Sequence, residues 1–416
     1  MNSLREIALS LFRAAVDQAD PARALRRHWQ ANRLPDLGTG RCFVVAIGKA
    51  AVPMMQAALD SLPRVDHALV VTNAENAVPL TGASIMLAAH PVPDETSVAA
   101  GRAVTALLQK AGQGDRVLAL ISGGGSALMA APAGDISLAD FSHTNAVLLA
   151  SGLEITQMNL IRQQIDSLKG GGFLRQAAPA KVYGYLLSDV IDDDLRAIAS
   201  GPTVSPIGTR EDAIALLRDA GLWDAVPEMV RYHLQVPSPS AMVPQAINHL
   251  IGSNRHSLQA MLSAVPEGLA ARIANDRLEG DVCDAAEQIL RNAEDAQGPV
   301  ALIFGGETTV QVRGTGLGGR NQELALRVAM GAEDRLAPGW VFLSGGTDGR
   351  DGPTEAAGGV VDEGTPARIR AAGRDPAALL ASNDSYAALK LSEDLLITGG
   401  TGTNVADVQV FLRPAP

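Results

Sequence analysis

Cysteine is nearly missing from this chain of 416 residues, which has only two cysteines, Cys42 and Cys283. They form no CxxC or similar spacing, so we predict no disulfide framework and interpret both as small buried apolar residues. Aromatic residues are also scarce, at 3%. The cores must therefore be built from Ala, Val, Leu and Ile, which a chain that is 47% hydrophobic supplies.

Positive charge and long apolar runs are the other shortages. Lys and Arg total 34 against 45 Asp and Glu, a formal net charge of −11, which argues against a nucleic-acid partner because such binding needs a basic face. A local basic pocket for a small anionic substrate remains compatible with this balance. No segment approaches about 18 consecutive apolar residues, and the N-terminus lacks a signal-peptide pattern. We therefore predict a cytoplasmic protein without a membrane partner.

Strand and helix patterns alternate along the chain, as in RCFVVAIG (41–48) followed by AAVPMMQAALDSL (50–62). This alternation predicts an α/β fold with a doubly wound parallel sheet, and the length predicts two or three domains. Residues 209–262 are predicted to be helical, with prolines from Pro227 to Pro244 that favour a boundary near residue 235. The domains are then 1–235 and 236–416, and the last strand, ADVQVFLRP, could pair at an edge of either sheet.

Four apolar runs end in glycine pairs: LISGGGS (120–126), LIFGGET (302–308), FLSGGTD (342–348) and LITGGTG (396–402). Glycine at a strand end lets backbone N–H groups approach another group closely. The first run is predicted to be a phosphate site, because it combines glycines with a following helix start. Its residues are Ser122, Gly123, Gly124, Gly125 and Ser126. The alternative is a tight turn without a ligand.

Several charged residues lie beside these turns. Lys49 follows a strand at the start of a helix, where a cation opposes the helix dipole and gains no structural stabilisation. We therefore interpret Lys49 as a residue that binds an anion. The alternative is a solvated surface lysine. Arg162 and Lys169 are seven residues apart and are predicted to project from one helical face. His90 either contacts substrate or is a loop histidine with its hydrogen bonds satisfied.

Carboxylates also occur at strand ends. Asp189 ends the strand VYGYLLSDV, and in open α/β sheets ligands lie outside the carboxyl ends of strands. It could bind Mg²⁺ or accept a proton from a hydroxyl group, and the sequence does not separate these roles. Glu307 in FGGET and Asp348 in SGGTDG are further carboxylates of this kind.

The segment 314–319, GTGLGG, formally matches the GxGxxG pattern of dinucleotide-binding turns. The acidic residue expected about 20 positions later is met only by Glu333 and Asp334, which are predicted to lie in a loop. Arg320 follows the last glycine directly. We therefore interpret the segment as a loop that presents Arg320 to an anion. A GxxxxGK[ST] phosphate loop does not occur in the sequence.

Taken together, nine motifs in order resemble those of the glycerate 2-kinase family whose C-terminal half is called the MOFRL domain. They cover nearly the whole chain: VVAIGKAA, HPVPDE, LISGGGSALM, NLIRQQIDSLKGGG, SDVIDDDLRAIASGPT, GGETTV, GLGGRNQELAL, SGGTDGRDGPTEAAGG and TGGTGTNVAD. The resemblance implies a larger Rossmann-like domain, a smaller MOFRL domain and a cleft between them. It also implies phosphorylation of D-glycerate by ATP with Mg²⁺, giving 2-phosphoglycerate.

Lys49 and Arg320 match the cations that the family places in its site, and Asp189 matches its strand-end acid. We expect the loop 122–126 to bind ATP phosphates with help from Lys169 and Glu307, and Asp189 or Asp348 to bind the metal. Family members have often been labelled hydroxypyruvate reductases, so an NAD(P)H-dependent reductase stays open, as does a nucleotide sensor without turnover. A homodimer also stays open.

Overall fold

The alternation of strands and helices is present in the computed structural model, which describes residues 3–32, 39–237 and 242–414. Contacts divide the chain into a large unit, residues 21–251, and a small unit, residues 1–20 with 252–416. Each unit contains one six-stranded sheet. Among the described residues, none of the helices is both long and apolar enough to cross a bilayer.

The strands, in chain order, are β1 (Cys42–Ile47), β2 (His67–Thr72), β3 (Ser84–Leu87), β4 (Arg116–Ile121), β5 (Lys181–Leu187), β6 (Ile247–Gly252), β7 (Ala270–Asp281), β8 (Val300–Thr309), β9 (Val341–Gly346), β10 (Gly358–Asp362), β11 (Leu395–Leu396) and β12 (Asp407–Arg413). The helices are α1 (Leu4–Ala19), α2 (Pro21–Ala31), α3 (Ala51–Ser61), α4 (Glu95–Leu108), α5 (Gly125–Leu128), α6 (Leu138–Ala150), α7 (Ile155–Gln164), α8 (Gly172–Ala177), α9 (Arg210–Asp219), α10 (Glu228–Gln235), α11 (Asn254–Ala264), α12 (Val282–Asp295), α13 (Arg320–Gly331), α14 (Thr365–Ala371), α15 (Pro376–Ala381) and α16 (Ser385–Leu391).

The sheet of the large unit has the strand order β3-β2-β1-β4-β5-β6, and the pairings among β1–β5 are parallel. This is the doubly wound order of dinucleotide-binding folds, which confirms the predicted α/β class. Successive residues of β1 enter cores on opposite faces: Phe43 and Val45 on one, Val44 and Ala46 on the other. Burial on both faces explains why these strands read as continuous apolar runs.

The sheet of the small unit has the order β11-β10-β9-β12-β8-β7. Only β7 and β8 pair in parallel, and the other four pairings are antiparallel. The sequence left open an edge position in either sheet for the last strand; β12 lies inside the sheet of the small unit, between β8 and β9. The residues of β12 from Asp407 to Leu412 are all buried, as expected for a strand with a neighbour on each side.

The bounds of the units differ from the predicted division at residue 235. The apolar face of α1, including Leu11 and Phe12, packs in one core with the small-unit strands. Residues 209–262 are also not all helical, because they contain β6, the sixth strand of the large sheet. Part of the proline-rich stretch, residues 238–241, lies outside the described residues.

The two cysteines are free, and only one of them is buried. Cys42 lies in β1, where burial raises the pKa of its thiol to about 11. Cys283 was also expected to be buried but is exposed in the first turn of α12. Neither cysteine therefore has the electropositive, low-pKa surroundings of a reactive thiol.

Candidate functional site

Two loops meet at the carboxyl edge of the large sheet, where the strand order reverses. β1 ends at Ile47 and leads to Lys49, while its neighbour β4 ends at Ile121 and leads to Ser122. The Lys49 N–H donates to the Gly123 carbonyl at 2.9 Å. In doubly wound sheets the crevice for ligands forms at this reversal, so these loops occupy the position that the topology favours for binding.

The hydroxyl of Ser122 joins the two loops. Its Oγ accepts a hydrogen bond from the Ala50 N–H at 3.1 Å and donates to the Ile47 carbonyl at 3.3 Å. Ser122 is buried. Because its one hydroxyl proton is used inside the protein, Ser122 positions the loop and does not offer a donor to a ligand.

Each glycine of the loop is required by a close neighbour. A Cβ on Gly123 would lie 2.1 Å from Asp189 Oδ2, and one on Gly124 would lie 3.1 Å from the His90 ring and 3.4 Å from Lys49 Cγ. A Cβ on Gly125 would lie 2.8 Å from that of Ala199. The glycines thus allow the backbone to approach the predicted site residues.

The loop also presents unbonded backbone donors. Among the described residues, the N–H groups of Gly123, Gly124, Gly125 and Ser126 have no acceptor. Gly124 has φ +83°, a left-handed conformation that glycine adopts freely. The following helix is shorter than the sequence suggested, because α5 has four residues. Its dipole adds little, so an anion at this loop would be bound by the N–H groups themselves.

Asp189 follows β5, next to β4 in the sheet, and is partly buried. Burial raises the pKa of this carboxyl, while the charge of Lys49 acts in the opposite direction. A carboxylate with a raised pKa beside a loop of unbonded N–H donors is suited to accept a proton. The structure therefore brings together Lys49, the glycine loop and Asp189, as the strand-end pattern predicts.

Sequence reasoning missed Ser200, which supports the loop from the other side. Ser200 has φ +60° and Ala199 φ +49°, conformations that are uncommon for residues with a side chain. The Ser200 Oγ donates to Asn159 Oδ1 at 3.0 Å and lies 2.9 Å from Ser126 Oγ. The Ser126 hydroxyl proton is therefore directed at Ser200, and Ser126 offers its N–H to a ligand. Such strain clusters at functional sites.

Lys169 and Arg162 do not share a helical face. Helix α7 ends at Gln164, and Lys169 lies in the turn that follows. Lys169 is 1% exposed and donates from Nζ to Asp166 Oδ2 at 2.7 Å. Because Asp166 also accepts from backbone N–H groups of this turn, the pair fixes the turn. The sequence signal for this ion pair was Asp166, three residues before Lys169.

In the small unit, Arg320 is held by two carboxylates. Its guanidinium pairs with Asp407 through Nε at 2.6 Å and Nη2 at 3.1 Å, and with Glu307 through Nη1 at 2.6 Å. Burial opposes the charge, but the hydrogen bonds and charges of Asp407 and Glu307 outweigh it and raise the pKa of Arg320. Three of its five N–H donors are used, and two have no acceptor among the described residues.

Asp407 was missed, although it ends the last quoted motif. It lies opposite Gly306 on β8 and Gly346 on β9, and its side chain is 1% exposed. These glycine pairs were predicted to form turns, but they lie inside strands that flank Asp407. Glu307 accordingly lies within β8, and Asp348 follows β9 and accepts from the Arg350 N–H at 3.0 Å.

The GxGxxG segment has no free helix start. Asp351 accepts from the N–H groups of Asn321 and Gln322 at 3.0 and 2.8 Å, at the place where a dinucleotide would put its pyrophosphate. A Cβ on Gly318 would lie 2.1 Å from Ser385 Oγ, and one on Gly319 would lie 2.3 Å from Asp351. These glycines allow close packing within the unit, and the segment leads directly to Arg320 at the start of α13.

Two family models match the chain. The model described as a domain of unknown function, DUF4147, matches residues 7–235, and the MOFRL family model matches residues 300–407. The D-glycerate 2-kinase of Thermotoga maritima is 39% identical, over 99% of this chain and 98% of that protein. The glycerate 2-kinase of Pyrococcus horikoshii is 37% identical, over 98% and 97%. An Agrobacterium vitis relative, 39% identical over 99% and 94%, is named only provisionally as a hydroxypyruvate reductase.

The comparison with solved structures gives the same family. The crystal structure of glycerate kinase from Thermotoga maritima has a TM-score of 0.91 and 38% identity, over 99% of both chains. The predicted resemblance and the predicted fold class are confirmed.

Proposed function

Because the chain belongs to the glycerate kinase family with a C-terminal MOFRL domain, we propose that it transfers the γ-phosphoryl group of ATP to the 2-hydroxyl of D-glycerate. The products are 2-phospho-D-glycerate and ADP. The observation that carries this proposal in the chain itself is the meeting of Lys49, the glycine loop and Asp189 at the reversal point of the large sheet.

Phosphoryl transfer depends mainly on positioning and on neutralising charge. In this proposal, the unbonded N–H groups of Gly123, Gly124, Gly125 and Ser126 bind ATP phosphate oxygens. Lys49 lies beside Gly124 and neutralises the transferring phosphoryl group. These donors are fixed in place before the substrate binds, so little reorganisation is needed in the transition state.

Asp189 orients the 2-hydroxyl of glycerate and accepts its proton as the oxygen attacks phosphorus. The raised pKa supports this role, since a carboxylate with a higher pKa is a stronger base than an ordinary aspartate. The carboxylate of Asp189 lies directly against Gly123. Acceptor and donor substrates would therefore meet where the loop and the acid are in contact.

Magnesium would arrive with the nucleotide and neutralise charge on its phosphates. Among the described residues, no group of three or more His, Cys, Asp or Glu could hold a metal ion. Mg²⁺ commonly uses one or two carboxylates together with substrate phosphates. We propose Asp348 of the small unit or Asp189 of the large unit as this carboxylate; in the second case Asp189 binds the metal instead of accepting the proton.

Arg320 supplies a cation from the small unit for the anionic substrates. Asp407 holds it from behind with two hydrogen bonds, and its two remaining N–H donors could contact a carboxylate or phosphate. Glu307 acts through Arg320 in this proposal, and Lys169 acts through the turn that it fixes with Asp166. Both are therefore positioning residues and not direct ligands of ATP.

The reductase alternative has weaker support. It rests on provisional names of relatives and on a GxGxxG segment whose helix start is occupied by Asp351. The test is incubation of the purified protein with ATP, Mg²⁺ and D-glycerate, followed by two-dimensional ¹H–³¹P NMR. Phosphorus coupled to the proton at carbon 2 supports the proposal. No phosphoglycerate, together with NADH oxidation by hydroxypyruvate, would overturn it, and ATP binding without turnover would favour the sensor.

The proposal includes a cytoplasmic enzyme, which fractionation of cells that produce it would test. A homodimer stays a prediction, and light scattering of the purified protein would decide between one chain and two.

A further inference from the structure

A pocket of about 300 Å³ opens beside the glycine loop in the large unit. Gly124 and Ser126 contribute to its wall, and further walls come from the segment after His90 and from helix α6. The mechanism above uses only the loop side of this pocket. Its charge and its apolar lining are therefore unexplained by the roles given so far.

The first unexplained feature is the charge of Arg162, which lines the pocket. Its Nε donates to Asn145 Oδ1 at 2.9 Å, and its other four N–H donors have no acceptor among the described residues. Burial lowers its pKa, since the charged form is held out of water without a carboxylate to compensate it. A bound anion would supply that compensation.

Lys169 also lines the pocket, but its charge is already balanced. Asp166 accepts from its Nζ, is buried and is not one of the residues that line the pocket. The Nζ is 5.1 Å from the centre of the Phe141 ring, which also lines the pocket. No Asp or Glu is part of the lining. The uncompensated charge is therefore that of Arg162.

The second unexplained feature is the apolar part of the lining. Val92 and Leu149 both line the pocket and are 65% and 67% exposed, so they form its mouth. Pro93 and Ala146 extend the same apolar surface. Glycerate carries a polar group on each of its three carbons and has no apolar face to bury there. A nucleoside has a flat base for such a surface and phosphates for the cations.

The position of Gly124 gives the third argument. Gly124 lines the pocket together with His90, and a Cβ on Gly124 would lie 3.4 Å from Lys49 Cγ. A phosphate chain that starts in the pocket and follows the unbonded N–H groups of the loop would therefore end beside Lys49 and Asp189. That is the order in which ATP carries its base, its inner phosphates and its transferable phosphate.

We propose that this pocket binds the nucleoside end of ATP, with the base against Val92 and Leu149 and with Arg162 on the inner phosphates. The proposal rests on the proposed function and deepens it by adding Arg162 and the apolar mouth to the nucleotide site. The contributions of the apolar mouth and of Arg162 can be measured separately, because Leu149 should contribute to binding only when the ligand carries a base. Arg162 should contribute whenever phosphate is present.

Binding of the fluorescent nucleotide mant-ADP to the full chain tests this, with tripolyphosphate as a competitor that lacks a base. Leu149→Gln should raise the Kd of mant-ADP several-fold and leave tripolyphosphate binding unchanged. Arg162→Gln should weaken both by about tenfold or more, since it removes a charged hydrogen-bonding group. Arg162→Lys should recover only part of this loss. In turnover, both changes should raise the KM for ATP and leave the KM for D-glycerate within twofold.

Leu87→Gln and Arg218→Gln are the matched controls, because both side chains are exposed in the large unit outside this pocket. They should leave both Kd values unchanged. The proposal is overturned if wild type forms phosphoglycerate but Leu149→Gln and Arg162→Gln bind mant-ADP as wild type does. A raised KM for glycerate alone would assign the pocket to the hydroxy acid and overturn it as well. Wild type that neither binds mant-ADP nor forms product would instead refute the proposed function on which it rests.

Discussion

The carboxylate of Asp189 lies against the Cα of Gly123, so closely that a Cβ at residue 123 would be 2.1 Å from Asp189 Oδ2. The glycine loop and the acid that follows β5 are thus fitted to each other. Any side chain at residue 123 must displace the acid, which is a flexible side-chain end and can move without breaking the sheet.

Gly123→Ala should therefore retain the fold and lose activity. A displacement of about 1 Å can cost on the order of 100-fold in rate, and we expect a loss of that size in kcat with D-glycerate. Gly112→Ala is the matched control, because its Cβ would meet only Asp115 Oδ2, at 3.9 Å. Steady-state kinetics and thermal melts of both variants make the comparison. Equal kcat values for the two would show that the contact has no part in turnover.

Asp189→Asn should lose activity and gain stability at neutral pH. Folding raises the pKa of Asp189 above its ordinary value of 3.8, so the folded state binds the proton more tightly than the unfolded chain. Stability therefore falls as the pH rises from below 3.8 through the folded pKa. Asparagine removes this cost.

Thermal melts from pH 4 to pH 8, at intervals of about one pH unit, test this direction of the pH dependence of stability. The melting temperature of Asp189→Asn should exceed that of wild type at neutral pH, and the gap should narrow as the pH falls. Asp219→Asn, at an exposed position of α9, is the control. A variant that melts below wild type at pH 7 would refute the burial argument.

Asp407→Asn should weaken both the small unit and turnover. The buried Asp407 makes two hydrogen bonds to Arg320, and hydrogen bonds to charged groups contribute about 1.5–3 kcal/mol. Denaturant unfolding should show a loss of that order. Glu307→Gln changes a side chain that is 45% exposed and should cost less than about 1 kcal/mol. If the two variants unfold alike, Asp407 is not the main support of Arg320.

The GxGxxG segment should act as packing and not as a cofactor site. Gly318→Ala would bring a Cβ to 2.1 Å from Ser385 Oγ and should lower the melting temperature. Gly400→Ala meets nothing within 4 Å and should leave it unchanged. NADH should give no saturable binding to wild type. Tight NADH binding that Gly318→Ala abolishes would restore the dinucleotide interpretation.

The part of the site that the sequence predicted depends on local patterns. An apolar run followed by Lys49, by the glycines from 123 to 125, or by Asp189 identifies a strand end, and parallel strands bring such ends to one edge. In the sheet of the large unit, β1, β4 and β5 are neighbours, so the ends of these strands lie side by side and bring the three groups together.

What the sequence did not predict depends on contacts between distant segments. The support of Ser126 by Ser200, and of Arg320 by Asp407, joins residues more than 70 positions apart. The glycines of GxGxxG match a dinucleotide-binding pattern, and the sequence did not predict their packing because their partners, Ser385 and Asp351, lie elsewhere in the chain. Helix α1 likewise packs on a sheet whose strands begin some 250 residues later.

Turnover of Lys49→Ala tests the central claim most directly, which is that phosphoryl transfer takes place at the reversal point of the large sheet. Lys181→Ala is the matched control, because Lys181 is exposed at the first residue of β5, the end of that strand opposite Asp189. Loss of a preorganised charged group costs about 100- to 1,000-fold in kcat. We predict that loss for Lys49→Ala, with an unchanged melting temperature, and full activity for Lys181→Ala. Wild-type turnover of D-glycerate by Lys49→Ala would contradict the account.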